Sequence, residues 1–190
     1  MNPAHLQRLV AENLVFLKQL TTLLETVSSA DYQRLIQGRH SLGRHLRHIV
    51  DHYQALLAAL AISGSDRLDY ETRAREQRLE QSPEAGLQAL ARIRQTLEQL
   101  SHEQLTGPLQ MAYPCAAGPT PDDPVLSVST TAERELVFLT SHTVHHMALI
   151  GLLAPHLEMA LPDTFGVHPS TLRHWARQSP VGTRQTAEVQ

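Results

Sequence analysis

Apolar residues recur along this chain at helical intervals in four separate stretches. From Pro3 to Val27, the residues Leu6, Leu9, Val10, Leu14, Leu17, Leu20, Leu24 and Val27 recur three or four apart, with Leu9 and Val10 adjacent. They form a single stripe and predict a long amphipathic helix, with Pro3 suited to its first turn. A second stripe, Leu42, Leu46, Ile49, Tyr53, Leu56 and Leu60, follows Gly38 and predicts a helix capped by Ser41 that ends near Ile62, before Ser63-Gly64. The third opens at Ser82-Pro83-Glu84, a cap, a first-turn proline and an early acid. Leu87, Leu90, Ile93 and Leu97 carry it to about Leu100. The fourth starts near Thr130 or Thr131, holds Glu133 in its first turns, and stops before Pro155.

The stretches between them read differently. Ser65 to Gln81 is dense in charge and predicts a surface connection with at most one short helical piece. Residues 101–128 carry Gly107, Pro108, Pro114, Gly118, Pro119, Pro121 and Pro124, which forbid a long helix. Leu109–Tyr113 and Val125–Val128 are apolar enough to pair as a hairpin across that proline-rich turn. The resulting expectation is an all-α four-helix bundle with a loop or short β-hairpin insertion before the last long helix. It forms a single domain over residues 1–179, and the polar segment 180–190 is a frayed tail.

Composition narrows the function. The formal net charge of -3 offers no basic excess for nucleic acid phosphates. Cys115 is the single cysteine, so no intrachain disulfide forms and a reducing, cytoplasmic home is expected. Met1 to Leu20 lacks the apolar core and cleavage site of a secretory signal. The longest uninterrupted apolar run, Ala55 to Ile62, falls short of the ~20 residues of a bilayer span, so no membrane role is expected. The outlying number is histidine, 12 among 190 residues.

On a helical wheel of ~100° per residue, Leu139, Leu149, Ile150 and Leu153 define the apolar arc of the fourth helix. Glu135, His142 and His146 lie inside that arc. Three ionisable groups on a core-facing stripe cost several kcal/mol unless they are satisfied. His142 and His146 are four apart, so both rings project from one side a turn apart, the spacing that lets two imidazoles meet one metal ion. The second helix offers His45, His48 and His52 on a face flanking its own stripe, with the small Ala55 and Ala59 below. Bundle cores commonly build metal sites from such facing helices. The competing reading is a hydrogen-bonded core histidine with solvated neighbours such as His45 and His145. Spacing alone does not decide between them; the core-facing placement favours metal. Thr143 stands where a zincin would need its general-base glutamate, and neither helix holds the Glu-x-x-His pair of a di-iron bundle, so both classes are disfavoured. Gly166-Val167-His168-Pro169-Ser170-Thr171-Leu172-Arg173-His174-Trp175 has the look of a recognition-helix start, but Pro155 and Pro162 break any preceding helix, and DNA binding is not expected.

Ser41-Leu42-Gly43-Arg44-His45-Leu46-Arg47-His48 and His142-Thr143-Val144-His145-His146-Met147-Ala148-Leu149-Ile150 resemble the motifs of the DinB-like (YfiT-like) superfamily of metal-binding four-helix bundles. Asp69-Tyr70-Glu71-Thr72-Arg73 and the segment Phe165 to Arg173 resemble one branch of it. The resemblance implies His48, His142 and His146 as the ligands, a homodimer, and thiol-dependent transferase or isomerase chemistry using low-molecular-weight thiols. No thiol-specific or substrate-specific motif accompanies it. Three imidazoles suit zinc or nickel first, then iron or cobalt, and leave a position where a thiol or water would be activated. His52, a turn from His48, is a candidate fourth ligand or proton shuttle, and Glu135 a candidate base or imidazole-orienting carboxylate. A helix-start acid is the plainer account of Glu135. Arg47 and Asp51 predict a helix-surface ion pair. Arg73 and Arg75 read as solvated charge before substrate-gating groups, and Cys115 as a loop thiol. The leading expectation is a metal-dependent transferase or hydrolase acting on a small molecule. The alternative is a non-catalytic metal-binding or stress-related bundle with a closed coordination sphere.

Overall fold

The computed structural model describes residues 3–61, 67–72, 76–114 and 125–178. Arg73, Arg75, Cys115 and the tail 180–190 lie outside them. Four long helices dominate: α1 (Pro3–Thr26), then, after the short α2 (Ser29–Gln33), α3 (Leu42–Ala61); and, after the short α4 (Arg78–Gln81), α5 (Pro83–Gln99). The short α6 (His102–Thr106) leads toward the last long one, α7 (Ala132–Leu153), which runs into a 3-10 turn at Ala154–Leu157. The last described element is α8 (Pro169–Gln178). The caps are those the sequence calls for. Ser41 Oγ accepts from Arg44 N at 3.2 Å, Ser82 Oγ from Ala85 N at 3.1 Å and Thr131 Oγ1 from Arg134 N at 3.2 Å. Each satisfies an amide that the helix itself leaves open.

α1 packs on α5 and α7, and α3 packs on α5 and α7. The predicted stripes form the shared interior: Leu17, Leu20, Ile49, Leu56, Leu90, Leu139 and Ile150 are all buried. A polar thread runs through this core. The Tyr53 hydroxyl donates to Asn13 Oδ1 at 2.7 Å, Asn13 Nδ2 donates to the Leu136 carbonyl at 3.1 Å, and Thr143 Oγ1 donates to the Tyr53 oxygen at 3.3 Å. These bonds tie α1, α3 and α7 together. A rotation of any one helix would orphan a buried polar group, so the thread fixes which faces of α3 and α7 meet.

Among the described residues there are also three strands: β1 (Arg67–Asp69), β2 (Pro108–Pro114) and β3 (Val125–Thr131). The expected hairpin is present, with β2 and β3 antiparallel from Pro108 opposite Thr131 to Pro114 opposite Val125. It extends further than predicted, and β1 joins it in parallel, Leu68 opposite Met111. This corrects the view of Ser65 to Gln81 as a surface connection. Leu68, Tyr70 and Leu79 are buried there, three inward side chains hidden in a charge-rich sequence. Gly43 seats α3 against α4, because a Cβ at that position would overlap the Glu80 carbonyl. Arg47 bonds both Asp51, at 2.8 Å, and Glu80. The expected pair is therefore present, but as a buried brace: the Asp51 side chain is only 1% exposed.

Two further features bear on the sequence reading. The segment resembling a recognition helix does form a helix, α8, with no buried residue. Ala132–Leu157 has the length and mean hydropathy, 1.5, of a bilayer span, a property that a search for uninterrupted apolar runs passes over because histidines and acids punctuate it. In this fold α7 packs against α1 and α3.

Candidate metal centre

The histidine faces of α3 and α7 meet. His48 from α3 and His142 and His146 from α7 each present a ring nitrogen, and these three atoms lie within 4.8 Å of one another. The ring centroids are 5.0 Å apart for His48–His142, 4.5 Å for His48–His146 and 4.7 Å for His142–His146. The three side chains are half-buried, and His142 Nε2 is shielded from solvent. Burial, followed by the nearby His142, His48, His45 and His145 rings, holds the His146 imidazole down at about 3, so it is neutral at physiological pH and keeps a lone pair for a ligand. Neutral nitrogen donors converging from two rigid helices fit a divalent transition metal, with side-chain rotation closing them to the ~2.0–2.1 Å of a zinc–imidazole bond.

His52 belongs to the same cluster. Its ring lies 4.0 Å from that of His142 and 4.5 Å from that of His48. Its Nδ1 donates to the His48 carbonyl at 2.8 Å, which puts the ring's lone pair on Nε2. On the far side Tyr70 stacks on His52 at 5.2 Å, and Phe138 stacks on His142 at 5.4 Å. Together these aromatics wall one end of the site.

Glu135 is fully buried. Its Oε2 accepts from the Tyr70 hydroxyl at 2.8 Å, and its Oε1 accepts from Thr130 Oγ1 at 2.5 Å and from Arg134 at 2.8 Å. No histidine figures among these described bonds; Glu135 reaches the cluster through Tyr70. Burial, then the Glu135 charge, pushes the Tyr70 phenol far above its ordinary range, so it stays a protonated donor.

At the opposite end lies His45. It is not the solvated neighbour that its place in the sequence suggested: it is 9% exposed and its Nδ1 sits 3.1 Å from His146 Nδ1. His40 stacks on it with rings nearly parallel, 5.9 Å apart. His145, by contrast, is exposed as expected. Sequence reasoning missed Tyr70, Phe138 and the inward turn of His45. Tyr70 lies in the charged stretch, within the segment Asp69 to Arg73 that resembles the family, and Phe138 carries no signal that sets it apart from the other apolar positions of α7.

A family profile described as the DinB superfamily matches residues 15–150, which span both histidine-bearing helices. The chain belongs to the DinB superfamily. Among curated proteins, this DinB-superfamily chain is similar to FK506-binding protein 5 of Rhizopus delemar, 30% identical over 111 residues, which are 58% of this chain and 28% of that protein. The chain thus matches little more than a quarter of that relative's length. No solved structure matches the chain.

Proposed function

We propose that this protein is a cytoplasmic metal-dependent enzyme, a transferase or hydrolase built on a DinB-type four-helix bundle. In this reading His48, His142 and His146 hold zinc or nickel, with iron or cobalt as the next candidates, and the substrate is a small molecule, with a low-molecular-weight thiol the first candidate. The observation that carries it is the approach of three imidazole nitrogens from two helices to within 4.8 Å of one another. A divalent metal held there supplies Lewis acidity, which lets a thiol or water lose its proton near neutral pH. His52 stands beside the site with its lone pair on Nε2 and accepts that proton. Tyr70 packs on the His52 ring and fixes its plane, while Glu135, braced by Thr130 and Arg134, holds Tyr70 in place. Glu135 is thereby a positioning residue acting through Tyr70. Phe138 and Tyr70 wall this end of the site. The resemblance to the family supports assembly as a homodimer.

One observation favours a second reading. The His52 ring is as near to His142 as the three ligand candidates are to each other, so His52 is able to serve as a fourth ligand and close the coordination sphere, which would make the bundle a non-catalytic metal binder.

Elemental analysis of protein purified without chelator, followed by zinc titration, tests the metal. One ion per chain is expected, lost in His142→Ala and in His146→Ala. A chain that neither carries nor takes up metal would overturn both readings. Cobalt-substituted protein separates them: a small thiol added to an open site changes the cobalt absorption spectrum, whereas a spectrum that does not move and an affinity that collapses in His52→Ala would support the closed sphere.

A further inference from the structure

A ligand imidazole has two nitrogens, and the one not on the metal must carry the proton and needs an acceptor. For His146 the structure offers one partner in that position. His146 Nδ1 lies 3.1 Å from His45 Nδ1, a hydrogen-bonding distance between two nitrogens of which one donates and the other accepts. His45 comes from α3 and His146 from α7, so the contact crosses the interface that forms the site. His45 is 9% exposed and the His40 ring lies parallel to its own, 5.9 Å away. His45 therefore has little freedom to leave.

We infer that His45 is an outer-sphere positioning residue: it accepts the Nδ1–H of His146, locks that ring in its Nδ1-protonated tautomer, and turns Nε2 toward the cation. The inference rests on the metal reading of His48, His142 and His146 but concerns a residue outside that set. It also assigns a reason for the length of the histidine run on α3. His48 joins the nitrogen triad, His52 lies at the end walled by Tyr70 and Phe138, and His45 lies one turn before His48, where it faces the later of the two α7 ligands. Outer-sphere partners of this kind are worth ~10–100-fold in metal affinity.

Zinc affinity, measured by chelator competition on the full chain, tests it with three substitutions. His45→Ala removes the acceptor and should weaken zinc binding about 10–100-fold. His45→Phe keeps a flat ring beneath His40 but offers no acceptor, and should weaken binding as much as alanine does. His45→Asn places a carbonyl oxygen close to where Nδ1 stood, and should restore most of the affinity. Circular dichroism checks that each variant is folded. A phenylalanine variant that binds zinc as the parent does, or an asparagine variant no better than alanine, would show that His45 only packs, and would overturn the inference while leaving the metal site intact. Nitrogen-15 NMR of the zinc-loaded parent adds a direct readout. A His146 Nδ1 carrying its proton is expected, and a metal-bound Nδ1 would refute the assignment. A parent chain that takes up no zinc would remove the metal reading and this inference together.

Discussion

The bond between Tyr70 and Glu135 is where the small sheet meets the histidine cluster, and it can be broken with one atom. Tyr70→Phe deletes only the hydroxyl, leaving the ring stacked on His52 and the core volume nearly unchanged. The lost bond is 2.8 Å long and ends on a carboxylate that is fully buried. Both other described partners of that carboxylate, Thr130 and Arg134, bond Oε1, so neither replaces the donor to Oε2. Hydrogen bonds to charged groups contribute ~1.5–3 kcal/mol, and a buried acceptor cannot recover the loss from water. Tyr70→Phe should therefore destabilise the chain by about 2 kcal/mol, close to a 30-fold fall in the folded-to-unfolded ratio, or about 4–8 °C in melting temperature for a chain of this size. Urea denaturation of the metal-free protein measures it. A double-mutant cycle with Glu135→Gln isolates the pair, since the neutral amide no longer needs a strong donor and the second substitution should add less than the sum. A Tyr70→Phe variant within about 0.5 kcal/mol of the parent, or a coupling energy near zero, would show that Glu135 does not depend on Tyr70 and would detach the carboxylate from the site.

Other expectations follow from particular contacts. The folded-state value of His146, about 3, lies below its ordinary 6.5, so between these values the unfolded chain binds the proton and the folded one does not. Its share of the metal-free protein's stability is complete above pH 6.5 and is lost as the pH falls toward 3. Denaturation at pH 7 and pH 5 should show the more acidic sample weaker, and equal stabilities would contradict the burial of this ring. Gly43→Ala forces a methyl group into the Glu80 backbone and should cost ~1–3 kcal/mol by overpacking. Because α3 must shift to relieve it, zinc affinity should fall as well, and an unaffected melt would mean that α4 yields freely. Saturation with zinc at about a hundredfold above its dissociation constant should stabilise the chain by ~2.7 kcal/mol, and EDTA should reverse the gain. A melting temperature indifferent to both would count against a folded-state site.

Periodicity, cap residues and turn residues by themselves determined the four long helices, their caps, the hairpin before the last of them, and the conflict on α7 where His142, His146 and Glu135 interrupt an apolar arc. These are legible because each depends on residues within a few turns of one another, where spacing and side-chain direction are coupled by the backbone. Tertiary structure alone decided what the charged stretch after α3 does, since three buried side chains, Leu68, Tyr70 and Leu79, carry no periodic signal among so many charges. It also decided the roles of the histidines on α3. His45, His48 and His52 share one face in sequence, but which of them meets His146, which joins the nitrogen triad and which stacks on Tyr70 depends on the rotation and height of α3 against α7. That rotation is held by Asn13, Tyr53 and Thr143, bonds from three helices far apart along the chain, and no local pattern encodes it.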